Sequence, residues 1–246
     1  MDLGLSDAVY VVTGGTDGLG FSTARALVDD GARVVVSSRQ DDKVARAVER
    51  LGGADHAVGV VADLAAEDTP ARLVAAATEQ YGRLDGALLS VGGPPATTAA
   101  SATDEQWRTA FDTVFLGAVR CARVVAGALT AGGAIGFVLS SSVKAPIPGL
   151  GISNGLRPGL AMVAKDMAAE FGPRGVRTFG LLPGRIATNR MVELDAGGTP
   201  KVAGIPLGRY GDPAEFGRVA AFLLSPAASY VTGSMIPVDG GALPVL

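Results

Sequence analysis

Val9-Tyr10-Val11-Val12-Thr13 runs straight into Gly14-Gly15-Thr16-Asp17-Gly18-Leu19-Gly20, and an amphipathic stretch follows from Phe21 to Asp30. This order reads as a buried strand, a tight glycine turn and the start of a helix. Glycine lets the backbone turn sharply and approach a ligand closely, and the N–H groups at a helix start favour negative charge. The segment therefore suits a dinucleotide pyrophosphate. A glycine triplet alone occurs often by chance; the strand before it and the helix after it give this one its weight.

The same alternation continues along the chain. Short β-branched runs predict strands at Val9–Thr13, Arg33–Ser37, Ala57–Ala62, Gly86–Ser90, Ile135–Ser140, Val176–Leu182 and Met235–Val238. Helical patterns fall at Leu19–Asp30, Asp42–Leu51, Pro70–Tyr81, Asp104–Leu129, Leu160–Phe171 and Pro213–Leu224. The strand runs are apolar on consecutive residues, which fits a parallel sheet covered on both faces. The expected fold is α/β: one Rossmann-type, doubly wound domain over residues 1–246, with about seven strands. The Gly/Pro-containing segment 185–210 is too long for an ordinary connection and is expected to be a substrate lid.

Composition narrows the function. The 246 residues carry a net charge of −3 with no basic cluster, which argues against a nucleic-acid partner. Val124 to Leu139 is mostly apolar, but Gly127, Gly132, Gly133 and Gly136 interrupt it and it is too short to span a bilayer, so no membrane partner is expected. The opening Met1-Asp2-Leu3-Gly4 lacks a charged leader region, and a cytoplasmic location is expected. The single cysteine, Cys121, and the single histidine, His56, leave no basis for a disulfide, a metal site or a His-dependent triad. Trp107 reads as a packing anchor.

In an open parallel sheet, ligands bind beyond the carboxyl ends of the strands. The residues following the strands are Gly14–Gly20, Ser38-Arg39, Asp63-Leu64, Ser90-Val91-Gly92-Gly93, Ser141-Ser142 and Pro183-Gly184-Arg185-Ile186-Ala187-Thr188. They are small, polar and glycine-rich, as a cofactor crevice requires.

Over nearly its whole length the chain resembles the short-chain dehydrogenase/reductase family. Thr13-Gly14, with Gly18-Leu19-Gly20, matches its TGxxxGxG turn, and Asp63 stands where an acidic residue bonds the adenine. Pro183-Gly184 with Thr188 matches PGxxxT, whose Thr meets the nicotinamide carboxamide. Val231-Thr232-Gly233 and Val238-Asp239-Gly240-Gly241 match the closing strand. The resemblance implies hydride transfer between a carbonyl and a secondary alcohol. It also implies a homodimer or homotetramer joined through the long helices beside the fifth strand.

The active-site pattern departs from that family, whose members carry Ser, Asn and Tyr-x-x-x-Lys. Ser141 fits the serine, with Ser140 and Ser142 as alternatives because the loop length is uncertain by one residue. Ser153 falls where Tyr belongs, Arg157 where Lys belongs and Val114 where Asn belongs. Tyr10, Tyr81, Tyr210 and Tyr230 all lie elsewhere in the pattern. A serine hydroxyl is far less acidic than a phenol and sits on a shorter side chain. Arg157 can fork onto the nicotinamide ribose but stays protonated. Pro158 is expected to delay the start of its helix, moving Arg157 relative to the cofactor. Branches reading Gly-Gly-Pro-Pro after the fourth strand and Ser-Asn-x-x-Arg look closest, and resemble 3-oxoacyl-carrier-protein reductases. On this reading Ser141 bonds the substrate oxygen, and Lys144 or an ordered water supplies the proton.

Cofactor choice rests on Ser38 and Arg39. With no carboxylate at the end of the second strand, Ser38 leaves room and Arg39 offers a charge-assisted bond to a 2′-phosphate. NADP is expected, with NAD as the alternative, and Asp17 counts against NADP because a basic residue often helps in that turn. Arg185, Asn189 and Arg190 read as solvated lid residues rather than contacts for an acidic substrate, and Pro94 to Thr98 as the substrate mouth. The opposing functional reading is a catalytically silent dinucleotide-binding protein acting as sensor, scaffold or partner subunit.

Overall fold

A computed structural model describes residues 2–129, 132–195 and 202–245. Strand and helix alternate as β1 (Val9–Thr13), α1 (Gly18–Asp29), β2 (Arg33–Ser38), α2 (Asp41–Arg50), β3 (Ala57–Val61), α3 (Thr69–Tyr81) and β4 (Gly86–Leu89). There follow α4 (Asp104–Ala110), α5 (Gly117–Ala128), β5 (Ala134–Val138), α6 (Gly151–Phe171), β6 (Arg177–Pro183), α7 (Asn189–Leu194), α8 (Pro213–Leu224) and β7 (Met235–Val238). The strands form one parallel sheet in the order β3-β2-β1-β4-β5-β6-β7.

The consecutive apolar residues serve two cores at once, because successive side chains of a strand point to opposite faces. Tyr10, Val12, Val34 and Val36 pack with Leu27 of α1, Ala47 of α2 and Phe216 of α8. Val9, Val11 and Val35 pack with Leu73 of α3, Cys121 of α5 and Ala164 of α6. The chain order reverses between β1 and β4, so the crevice of a doubly wound sheet opens there. The Thr13 hydroxyl bridges this switch point: it donates to Ser90 O at 2.9 Å and accepts from Ser90 N at 2.9 Å.

Most predicted boundaries shift by a single residue; three differences are larger. β5 stops at Val138, because the Ser140 hydroxyl accepts from Ser142 N at 3.1 Å and starts a 3₁₀ turn over Ser141–Val143. The helix predicted over Asp104–Leu129 is broken by a π turn at Phe111–Leu116, where Gly117 N reaches back to Asp112 O. The third difference corrects the expected late start of α6. The helix begins at Gly151 and runs through Ser153, Arg157 and Pro158.

An internal proline costs a helix about 3 kcal/mol, so tertiary anchors must hold its first turns. Gly151 N donates to Thr97 O at 2.7 Å, and the Asn154 side chain pairs with both backbone groups of Ile147 at 2.9 and 3.0 Å. Part of the expected lid is helical, as α7. Its residues 196–201 lie outside the described residues. No helix among the described residues is long and apolar enough to cross a membrane.

Candidate active site

The phosphate turn is held by contacts that exclude side chains. Gly14 has φ +57°, and a Cβ there would stand 2.7 Å from Ser90 O. A Cβ on Gly20 would run into Gly14 O. Asp17 caps α1 unusually: its Oδ1 accepts only Gly18 N, at 2.8 Å.

A cleft of about 590 Å³ opens at the switch point. It brings together Gly14, Ser38, Arg39, Asp63, Leu64, Ser90, Val91 and Gly92, eight of the residues expected to hold the cofactor. Asp63 is fixed by Ala65 N at 3.0 Å on its carboxylate and by the Thr69 hydroxyl at 2.6 Å on its carbonyl. Arg39 is exposed at the rim and makes no ion pair among the described residues. Val114 lines the wall beside Thr113 from within the π turn. Glu105, Gln106 and Thr109 of α4 complete that wall; the sequence pattern showed only their helical spacing, which says nothing about a cleft.

The other expected cofactor residues lie off this cleft. Thr16 and Leu19 are half-buried in the turn and first helical residues, and Leu19 packs against the core. Gly20 is buried under Gly14. Ile186 is a core residue bridged to Gly211, while Gly184, next to Pro183, passes under Asp239. Asp17, Gly18 and Thr188 line a second cleft of about 580 Å³, with Phe21, Arg50, Met191 and Tyr210. Asp17 lines this second cleft, whereas Arg39 lines the first.

At the expected catalytic position the three serines differ in their surroundings. Ser142 Oγ lies 3.4 Å from Ser153 Oγ, and both residues are buried. Ser141, one residue earlier, is half-buried, and no hydrogen bond joins its side chain to Ser153. Sequence spacing could not separate them because only the Ser140 cap fixes which residue of the 3₁₀ turn faces inward. Lys144 is exposed just past this turn, its N–H on Ser141 O at 3.0 Å.

Arg157, expected to fork onto the nicotinamide ribose, is turned inward onto backbone in this structure. It is 4% exposed, and its guanidinium donates to Val138 O through Nη1 and to Val91 O at 3.5 Å through Nη2. Burial lowers its pKa to about 10, which leaves it charged at neutral pH. It ties the end of β5 to the loop after β4. Asn154 and Arg157 therefore both brace backbone behind the site, while Ser142 and Ser153 supply its hydroxyls.

The four tyrosines lie away from these two serines. Tyr10 is buried with its hydroxyl on Leu224 O, and desolvation, reinforced by the charge of Asp85, raises its pKa well above the usual range. Tyr81 reaches Ala54 O at 3.2 Å, and Tyr230 is fully exposed. Tyr210 donates to Asp195 Oδ2 at 2.6 Å and accepts from Arg185 at 3.1 Å.

The polar lid residues are engaged within the protein. Arg185 pairs with Asp195 at 2.8 Å, Asn189 donates to Asp17 Oδ2 at 2.9 Å, and Arg190 donates to Pro94 O at 2.6 Å. Trp107 packs against Gly155 of α6, the anchor the sequence implied. No group of His, Cys, Asp and Glu among the described residues is arranged to hold a metal. Cys121 is buried, its thiol pushed up to about 12 by desolvation.

The residues present fit a nicotinamide dinucleotide: a phosphate turn a Cβ would obstruct, a carboxylate and an arginine at the adenosine end, and buried hydroxyls beyond the β4 loop. The comparisons with known proteins agree. Residues 14–242 match the family model described as enoyl-(acyl carrier protein) reductase. An uncharacterized oxidoreductase of Methylorubrum extorquens is 33% identical over 96% of this chain and 98% of its own length. The 2,5-dichloro-2,5-cyclohexadiene-1,4-diol dehydrogenase of Sphingobium indicum is 32% identical over 96% and 97%. Among solved structures, a short-chain dehydrogenase/reductase from Brucella melitensis superposes with a TM-score of 0.93 at 26% identity, covering 98% of this chain and 99% of that one. L-sorbose reductase of Gluconobacter frateurii, solved with NADPH and L-sorbose, gives 0.92 at 29% identity over the whole of both chains. Turn, topology and relatives converge, and the chain belongs to the short-chain dehydrogenase/reductase family of nicotinamide-dependent oxidoreductases.

Proposed function

We propose that the protein uses NADPH to reduce a small-molecule ketone to a secondary alcohol, and NADP⁺ to reverse the reaction. The observation that carries this reading is the cleft at the β1/β4 switch point, which runs from Ser38 and Arg39 past Gly14 and Ser90 to Pro94 and Pro95. Arg39 would meet the 2′-phosphate, Asp63 the adenine, the Gly14–Gly20 turn the pyrophosphate and Thr188 the carboxamide.

A nicotinamide held there would supply the hydride for the carbonyl carbon. As that C–H bond forms, the carbonyl π pair moves to oxygen and the oxygen needs a proton. Ser142 and Ser153 present two hydroxyls to that atom. One donates a hydrogen bond to the developing charge and the other passes its proton across, since a secondary alkoxide is at least as basic as a serine alkoxide. Solvent water or the Lys144 ammonium restores the serine proton. Arg157 remains a fixed cation behind the pair, one helical turn from Ser153 on the same face of α6.

Substrates in the class of 3-oxoacyl thioesters belong to this reading, as do diols and ketoses of the kind named for the relatives. We further propose a homodimer or homotetramer through the α5 and α6 faces, supported by Met162, 70% exposed, and by the stacked Phe111 and Phe115 rings at 5.3 Å. Light scattering of the purified protein gives the mass; a monomer rejects the assembly.

The functional test is fluorescence titration with NADPH and NADH, followed by a screen of NADPH oxidation against ketones and acyl thioesters. Tighter NADPH binding with turnover of a carbonyl compound is expected. NADPH binding with no turnover across the screen would favour a silent sensor or scaffold, and absence of binding would overturn the reading altogether.

A further inference from the structure

The first two residues of α7 reach opposite walls of the crevice. Asn189 Nδ2 donates to Asp17 Oδ2 at 2.9 Å on the β1–α1 side, 172 residues away in sequence. Arg190 Nη2 donates to Pro94 O at 2.6 Å on the β4 side, 96 residues away. Between them the Thr188 methyl sits over the phosphate turn, 3.5 Å from where a Gly18 side chain would begin. Asp17 stands at the joint. One of its oxygens caps Gly18 N and the other holds the lid, so the carboxylate belongs to both the phosphate turn and α7.

We propose that Asp17 and Asn189 are positioning residues that latch α7 across the mouth of the crevice and so set the rate at which the dinucleotide exchanges. The physical basis is linkage through one side chain. α7 cannot lift from the turn without giving up the Asn189 bond, and a dinucleotide cannot pass between the two walls while α7 spans them. Loop and lid opening of this kind limits turnover in many enzymes. The latch rests on the dinucleotide reading above but adds a kinetic role for two residues that line the second cleft.

Stopped-flow fluorescence tests it, with NADPH as the probe for association and excess NADP⁺ as the chase for dissociation. One hydrogen bond of this kind corresponds to about a fivefold change in a rate. Asn189→Ala should therefore raise both association and dissociation about fivefold, leaving the equilibrium constant nearly unchanged. Asn189→Asp sets two carboxylates against each other and should accelerate exchange at least as much. The swapped pair Asp17→Asn/Asn189→Asp rebuilds the bond in reverse and keeps a cap for Gly18 N, so it should return exchange toward the wild-type rate. A purely structural role for Asn189 would lower the melting temperature of Asn189→Ala with exchange rates unchanged. Wild-type exchange rates in both Asn189 variants would overturn the latch while leaving NADPH binding intact. Wild-type protein that binds neither NADPH nor NADH would overturn the function and the latch together.

Discussion

Ser142 Oγ and Ser153 Oγ face each other at 3.4 Å, one on the 3₁₀ turn after β5 and the other in the first turn of α6. Eleven residues separate them, and neither position is readable as a partner of the other without the turn between them. Both are buried, so their hydroxyls meet in a space closed to bulk water.

Removing either hydroxyl should therefore cost turnover more than binding. Ser142→Ala and Ser153→Ala are each expected to lower kcat about 100-fold, the scale of losing one donor to a developing oxyanion, with NADPH affinity unchanged. Ser141→Ala should stay within about twofold of wild type, well short of that loss. Steady-state kinetics on any carbonyl substrate from the screen decides it; a large defect in Ser141→Ala alone would return the role to Ser141.

Arg157 should matter to the fold before it matters to the cofactor. Burial alone perturbs its pKa, and its hydrogen bonds go to two backbone carbonyls. Arg157→Ala leaves the carbonyls of Val138 and Val91 without that donor, and a loss of about 3 kcal/mol is expected from deleting a buried hydrogen-bonded charge. Arg157→Lys, with one ammonium in place of a fork, should recover part of it. Urea denaturation measures both; a stable Arg157→Ala that binds NADPH weakly would make Arg157 a cofactor ligand after all.

Cofactor preference should reside in one exposed side chain. Arg39→Ala is expected to weaken NADPH binding about tenfold or more while leaving NADH binding unchanged, since only NADPH carries the 2′-phosphate. Equal losses for the two cofactors would place Arg39 on a group they share.

Acid sensitivity should concentrate at the start of α8. Glu215 accepts two Arg209 bonds at 2.7 Å and one from Asp212 N at 2.7 Å, and Arg209 first, then the Asp212 backbone, lowers its pKa from 4.5 to about 2. A carboxylate held below its unfolded value stabilises the fold above that unfolded value. The contribution fades as pH falls from about 4.5 towards 2. Melting temperatures of wild type and Glu215→Gln should differ at pH 6 and converge near pH 2; a constant gap across that range would remove the pair as the cause.

The sequence by itself determined the doubly wound sheet, the place of the crevice and eight of the residues that line it. Consecutive β-branched residues in Val9–Thr13 and Arg33–Ser38 fill both faces of a parallel sheet, and a strand-to-helix glycine turn has few other uses; both are local properties of the chain. Tertiary structure decided what local pattern cannot carry. It set Ser142, not Ser141, against Ser153 through the Ser140 cap, and it kept α6 helical through Pro158 by anchoring Gly151 and Asn154 to distant backbone. It also turned Arg157 inward onto Val138 O and joined Asp17 to Asn189 across 172 residues. Each of these depends on a partner remote in sequence, and which donor meets which acceptor is settled only when the sheet brings the ends of β1, β4, β5 and β6 to one rim.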